Sequence, residues 1–171
     1  HYLFAKKHNG TFIIRIEDTD QSRFVEGAEE YILEALKWCG ITPDEGQGVG
    51  GDYGPYKQSE RKEMYKPYAE QLVKNGKAYY AFDTGEDLDK MRKQAQQMKM
   101  PNWQYNSVTR SSMQNSLTLP EDEVQKRLEN GDPYVIRFKM PRNEDVRFED
   151  KIRGWVVVNT NNLDDKVLYK S

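Results

Sequence analysis

The chain has 171 residues, of which 36% are hydrophobic, 12% aromatic and 32% charged, for a net charge of −2. That length suits one ordinary domain or two small ones, and the apolar share is lean but sufficient for a core, which excludes a wholly disordered chain. No apolar run nears the roughly 20 residues of a membrane span, and the single cysteine, Cys39, excludes an internal disulfide framework and suits a reducing cytosol.

His1–His8 has neither an initiator Met nor a cleavage pattern and reads like the last turns of a helix, with Gly10 as its stop. Thr11–Ile16 is a β-branched apolar run that predicts a buried parallel strand. Val25–Trp38 places Ala28, Tyr31, Ile32, Ala35, Leu36 and, just beyond, Cys39 on one helical stripe. Helix, strand and helix in that order predict an α/β, doubly wound arrangement. Residues 43–55 are Gly-rich and aperiodic, hence a loop. Lys57–Asn75 predicts a helix with Met64, Tyr65, Tyr68, Leu72 and Val73 on one face, closed by Gly76. A strand follows at Lys77–Phe82, then a polar helix to about Met100, opened by the capping-box pair Thr84 and Asp87. Residues 101–119 read as irregular, and Glu121–Asn130 as a short helix closed by Gly131. Tyr134–Met140 alternates like a half-buried strand, and Val146–Glu149, Trp155–Val158 and Lys166–Tyr169 predict further strands. The first third thus reads as α/β, and the remainder as a separate α+β module.

Charge is unevenly spread. Ten acidic and two basic side chains lie between Glu17 and Gly54, and eleven basic and seven acidic between Lys57 and Arg110. Such asymmetry fits an anionic partner on one side, and equally ordinary solvated helix faces. Glu17, Asp18, Thr19 and Asp20 follow directly on the predicted strand, where open α/β sheets bind ligands. A carboxylate there can hold an ammonium group by a charge-assisted hydrogen bond. The alternatives are a plain strand-to-helix turn, or capping of the next helix by Thr19 or Asp20. Lys57, Ser59 and Arg61 stand near a predicted helix start, which suits phosphate, or a normal N-cap with a solvated basic turn. Lys90, Arg92, Lys93 and Lys99 precede Trp103 and Tyr105, a pairing that suits RNA, or an exposed helix leading into a small core. There is no nucleophilic triad and no phosphate-cradling glycine fingerprint, since Gly46–Gly51 has the wrong spacing. Asp164 and Asp165 read as turn residues. One cysteine and two distant histidines make a structural zinc site an unfavoured reading.

At Arg15-Ile16-Glu17-Asp18-Thr19-Asp20, with Arg23 just after, the sequence resembles the class I glutamyl-tRNA synthetases. The resemblance continues in order through Phe4–Gly10, Gly54–Arg61, Asn75–Tyr79, Val135–Phe138, Asp150–Gly154 and Leu163–Leu168. Each motif alone is weak, but the collinear series covers essentially the whole chain.

The resemblance implies part of a doubly wound Rossmann-type class I synthetase fold, residues 1–56, with an inserted α+β acceptor-arm domain, residues 57–171, whose last strand returns toward the catalytic fold. Glu17 matches the acid that holds the substrate's α-ammonium group, with Asp18 and Thr19 in the same crevice. Asp20 and Arg23 lie where the tRNA 3′ end approaches, and Tyr56, Lys57, Ser59 and Arg61 open the insertion that grips the acceptor arm. The implied activity is ATP- and Mg²⁺-dependent activation of L-glutamate to glutamyl-adenylate, then transfer to the 3′ end of tRNA(Glu), by a cytoplasmic monomer without membrane attachment. The His-Ile-Gly-His-type signature, the arginine that reads the substrate's side-chain carboxylate and the Lys-Met-Ser-Lys-Ser loop all fall outside these residues. No catalytic residue is therefore expected within the chain, and no charging activity from it alone. Many relatives bind zinc through cysteines near Tyr80–Asp83; Ala81 and Asp83 stand there instead, so no zinc is expected. The alternatives are a non-catalytic acceptor-arm-binding module and a relative that transfers glutamate to a modified tRNA base.

Overall fold

The computed structural model describes residues 1–20, 25–100 and 102–171. The chain divides into two compact units, His1–Tyr65 and Lys66–Ser171.

In the first unit, helix α1 (Tyr2–Lys7) leads to strand β1 (Ile13–Ile14), which pairs in parallel with β2 (Glu45–Gly46). The regular strand is shorter than the run Thr11–Ile16 predicts, and Ile13 is 44% exposed instead of buried. Side chains alternate along it, so Phe12, Ile14 and Ile16 are half-buried and their neighbours face outward. The partner strand came from the segment read as loop. Gly46 makes it possible: at φ 136° a side chain there would collide with the Ile14 backbone. Helix α2 (Ala28–Trp38) forms, but Tyr31 (73% exposed) and Ile32 (44%) on its predicted buried stripe face outward. Ala28, Ala35 and Leu36 of the predicted stripe are half-buried, as are Glu29 and Leu33.

The helix predicted from Lys57 begins later. Backbone capture takes its first residues: Ile16 N–H donates to Tyr56 O (2.8 Å) and Gln58 N–H to Ile16 O (2.9 Å). A 3₁₀ turn at Ser59–Arg61 follows, then α3 (Lys62–Lys74).

In the second unit, β3 (Ala78–Ala81), β4 (Val135–Phe138) and β7 (Val167–Lys170) form an antiparallel sheet with β4 central. Period-two alternation divides the core in two. Ala78, Ile136 and Tyr169 pack with Ala69 of α3 on one face, backed by Leu72 and Val73. Tyr79 and Ala81 pack with Tyr105 and Met113 on the other, backed by Leu88 and Met91 of α4 (Gly85–Gln97). Met64 (45% exposed) and Tyr68 (70%), expected on the inner face of α3, turn outward. The capping box of α4 forms as predicted: Asp87 N–H donates to Thr84 Oγ1 (3.2 Å) and Thr84 N–H to Asp87 Oδ2 (3.0 Å). Helix α5 spans Glu121–Glu129. Strands β5 (Asp145–Asp150) and β6 (Gly154–Asn159) form a separate hairpin, whose turn is held by Asp150 Oδ1 accepting from the Ile152 and Arg153 N–H groups, both at 2.8 Å.

Residues 102–119, read as irregular, are held by a buried amide. Asn115 is 0% exposed; its Nδ2 donates to Arg110 O (2.7 Å), Tyr105 Oη (3.1 Å) and Met113 O (3.2 Å), and its Oδ1 accepts from Leu117 N–H (3.0 Å). The segment then docks on the edge of β3 through Phe82 N–H to Gln114 O and Ser116 N–H to Tyr80 O, both 2.8 Å.

Asp165 is the second buried anchor, at 0% exposure, and corrects its reading as an ordinary turn residue. It accepts from the Tyr79 hydroxyl (2.6 Å), Arg110 Nη1 (3.1 Å) and Met140 N–H (3.1 Å), while its own N–H donates to Tyr105 O (2.7 Å). Burial, reinforced by this carboxylate, pushes the Tyr79 hydroxyl far above its ordinary pKa. Removing one partner of a buried ion pair strands the other. Asp165→Ala is therefore expected to lower unfolding stability by about 3–5 kcal/mol in urea titrations, and an unchanged midpoint would contradict the anchoring role.

Candidate functional site

The site in the first unit is built where the chain leaves β1. The Ile16 backbone is locked to Tyr56 and Gln58, so the two residues after it emerge beside Lys57 and Ser59. Asp18 accepts twice from Ser59, from its N–H (2.8 Å) and from its hydroxyl (2.5 Å). A carboxylate from 41 positions away thus satisfies the first N–H of the 3₁₀ turn, where negative charge is also favoured. The Ser59 hydroxyl bond is the main reason Asp18 sits below its ordinary carboxylate pKa.

Lys57 does not begin a helix. Its ammonium bonds Glu29 in the first turn of α2 at 2.8 Å, which raises its pKa. The phosphate-site reading of Lys57 and Ser59 therefore meets two groups already engaged with carboxylates. Arg61 Nη1 donates to Pro55 O (3.2 Å) and Tyr53 O (3.4 Å), and its guanidinium lies 5.8 Å from the Tyr65 ring centre. Tyr56 is buried, and its hydroxyl donates to Glu45.

Glu17 faces outward. Among the described residues, Arg15 Nη2 donates to it at 3.0 Å, and the Glu17 side chain is 68% exposed. An exposed pair of this kind contributes little and exchanges readily for another cation. Thr19 and Asp20 are exposed. Neither caps α2, whose N-cap is Gly27 in the left-handed region. Arg23 lies outside the described residues.

Glu45 was missed by sequence reasoning. It is 8% exposed, and its Oε1 accepts from Tyr53 N–H (3.1 Å) as well as from Tyr56. An acid beside another acid, ahead of a Gly-rich stretch, gives no signal of burial. In the second unit, the basic and aromatic residues singled out above divide. Tyr105 is buried, and the guanidinium of Arg137 stacks 4.0 Å from its ring centre. Trp103 backs the core but also lines, with Arg92, Gln96, Asn102 and Gln104, an open surface hollow of about 380 Å³. Asp83 accepts from Gln114 N–H (2.9 Å) and the Tyr105 hydroxyl (3.0 Å). Among the described residues no three His, Cys, Asp or Glu side chains gather in a way that would hold a metal ion, and no helix is long and apolar enough to cross a membrane.

The family of class I tRNA synthetases (E and Q), catalytic domain, matches the chain over residues 1–171. The glutamate–tRNA ligase of Amoebophilus asiaticus (strain 5a2) is 61% identical over all 171 residues, which span 33% of its own length. That of Cytophaga hutchinsonii is also 61% identical, again over 33% of its length. The crystal structure of glutamate–tRNA synthetase from Elizabethkingia anophelis superposes with a TM-score of 0.91 at 54% identity, covering 99% of this chain and 34% of the other. The chain thus spans about a third of the length of the relatives it matches.

A depressed carboxylate pKa contributes stability that is present above the unfolded value and is lost as pH falls through the folded one. For Asp18 the unfolded value is 3.8, so its contribution fades only below that pH. Ser59→Ala is expected to move the Asp18 carboxyl titration upward toward 3.8, read by NMR of the side-chain carboxyl carbon. A titration unmoved by the substitution would show that the hydroxyl bond is not the cause.

Proposed function

The chain belongs to the catalytic domain of the class I tRNA synthetases for glutamate and glutamine, and from that premise we propose that it is part of a glutamate–tRNA ligase. Its parent uses ATP and Mg²⁺ to activate L-glutamate as glutamyl-adenylate and transfers the glutamyl group to the 3′ end of tRNA(Glu). Residues 1–56 contribute part of the nucleotide fold, and residues 57–171 the insertion that meets the acceptor arm. The parent works as a cytoplasmic monomer without resident zinc. The 171 residues alone are inactive, because a third of the relatives' length leaves most of the machinery outside them.

The observation that supports this reading most is the setting of Glu17. It stands just past a strand whose backbone is fixed on the far side by Tyr56 and Gln58, and its carboxylate is solvent-facing with the exchangeable Arg15 cation beside it. Substrate ammonium in place of the Arg15 guanidinium gives a charge-assisted bond at no cost of reordering the strand. Asp18 and Thr19 continue the same rim. Asp20, Lys57, Ser59 and Arg61 form the tRNA-facing side, with Tyr56 acting from beneath through its backbone; Arg23 is assigned the same role from the sequence motif alone. The chemistry is positioning and electrostatic stabilisation, since acyl transfer between adenylate and ribose needs no covalent enzyme intermediate.

The intact parent is expected to load labelled glutamate, and not glutamine, onto tRNA in an ATP-dependent reaction. Glu17→Gln is expected to lower kcat/KM for glutamate by roughly tenfold to a hundredfold, the range for losing a hydrogen bond to a charged group. Loading of glutamine in preference, no loading by the folded parent, or unchanged glutamate kinetics in the variant would each overturn the assignment.

A further inference from the structure

We propose that Glu45 is a positioning residue for the amino-acid site, holding the Tyr53–Ser59 segment so that Ile16, and through it Glu17 and Asp18, keep a fixed place. The inference rests on the reading of Glu17 and Asp18 as substrate-binding. Glu45 does not face that rim. It is buried at 8% exposure, and a carboxylate so placed must be satisfied by donors. The Tyr56 hydroxyl and the Tyr53 N–H both donate to its Oε1, and the Tyr53 N–H is shared with the Tyr56 oxygen at 3.1 Å. These bonds pin both ends of the turn Tyr53–Tyr56. The carbonyl of the pinned Tyr56 accepts from Ile16 N–H (2.8 Å), and two residues on Gln58 N–H returns to Ile16 O (2.9 Å). Ser59 then closes on Asp18. A chain of direct hydrogen bonds thus runs from the buried acid to the strand end.

Two further features agree. Gly51, at φ 133°, lies so close that an added side chain would strike Glu45 and the Tyr56 hydroxyl, so the backbone is closed over this contact. Glu45 itself lies on β2, which pairs with β1 through Ile13 and Ile14, so the acid and the strand it positions share one ladder. Burial and the neighbouring carboxylate also hold the Tyr56 hydroxyl above its ordinary pKa, keeping it a donor throughout the working pH range.

The test uses the intact parent enzyme with Glu45→Ala and Glu45→Gln, read by amide hydrogen exchange and by glutamate-loading kinetics. Glu45→Ala is expected to speed exchange in peptides covering residues 14–18 and 56–61 while leaving Ala78–Ala81 protected. It is expected to raise KM for glutamate by roughly three- to tenfold, with a smaller change in kcat. Glu45→Gln retains a carbonyl acceptor and is expected to restore most of both. Should the alanine variant not fold, Tyr56→Phe breaks the same contact and is expected to show the same local exchange. Unchanged exchange at residues 14–18 would overturn the proposal, as would loss of protection spread equally through the chain with kcat lowered and KM unchanged. If the parent loads no glutamate, the functional reading fails, and the exchange measurement still decides whether Glu45 positions the strand end.

Discussion

The backbone pairing of Ile16 with Tyr56 and Gln58 is the constraint on which the candidate site depends. Two hydrogen bonds, at 2.8 and 2.9 Å, convert separate stretches of chain into neighbours. The candidate site residues of the first unit lie within a few residues of them. Asp18 reaches Ser59, Lys57 is directed back to Glu29, and Glu17 stands at the outer edge beside the exposed Arg15. The same pairing explains why the predicted helix loses its first residues: strand-like hydrogen bonds at Tyr56 and Gln58 outcompete the helical ones their propensity favours.

The second unit depends on a different device, buried polar side chains that bond several donors and acceptors at once. Asp165 joins Tyr79 of β3, Arg110 and the chain at Met140, while Asn115 gathers the carbonyls and hydroxyl of the preceding loop. A sheet of three short strands has little apolar area to bury, so side-chain amides and carboxylates supply the connections that a larger core would supply by packing. Arg137 extends this logic, donating to the Asp165 carbonyl at 2.9 Å and stacking on Tyr105.

What the sequence made legible was local. The Thr84–Asp87 box, a strand within Tyr134–Met140 and the hairpin strands around Asp150 are signals carried by residues a few positions apart, and each forms, though the first of these strands, Val135–Phe138, is covered on both faces instead of one. The strand β2 was hidden because Glu45 and Gly46 have no strand propensity, and only the close approach to Ile14 reveals why glycine stands there. Asp18 as a cap for Ser59, and Asp165 as an anchor for Tyr79, pair residues 41 and 86 positions apart, which no periodicity encodes. The stripe on α2 was right in part: Ala28, Ala35 and Leu36 are half-buried as predicted, but Tyr31 and Ile32 point outward and Leu33 points in. At the site, the motif after β1 was visible as a cluster of acids; the support beneath it, Glu45 and Tyr56, was not.

The central claim is that the carboxylate of Glu17, held out at the end of a backbone-locked strand, receives the ammonium group of glutamate. A crystal structure of the intact parent with L-glutamate bound tests it most directly. The account predicts the ammonium nitrogen within hydrogen-bond distance of a Glu17 carboxylate oxygen, with the Arg15 contact at 3.0 Å released or lengthened. Glutamate bound with its ammonium elsewhere, and Glu17 still paired to Arg15, would contradict it.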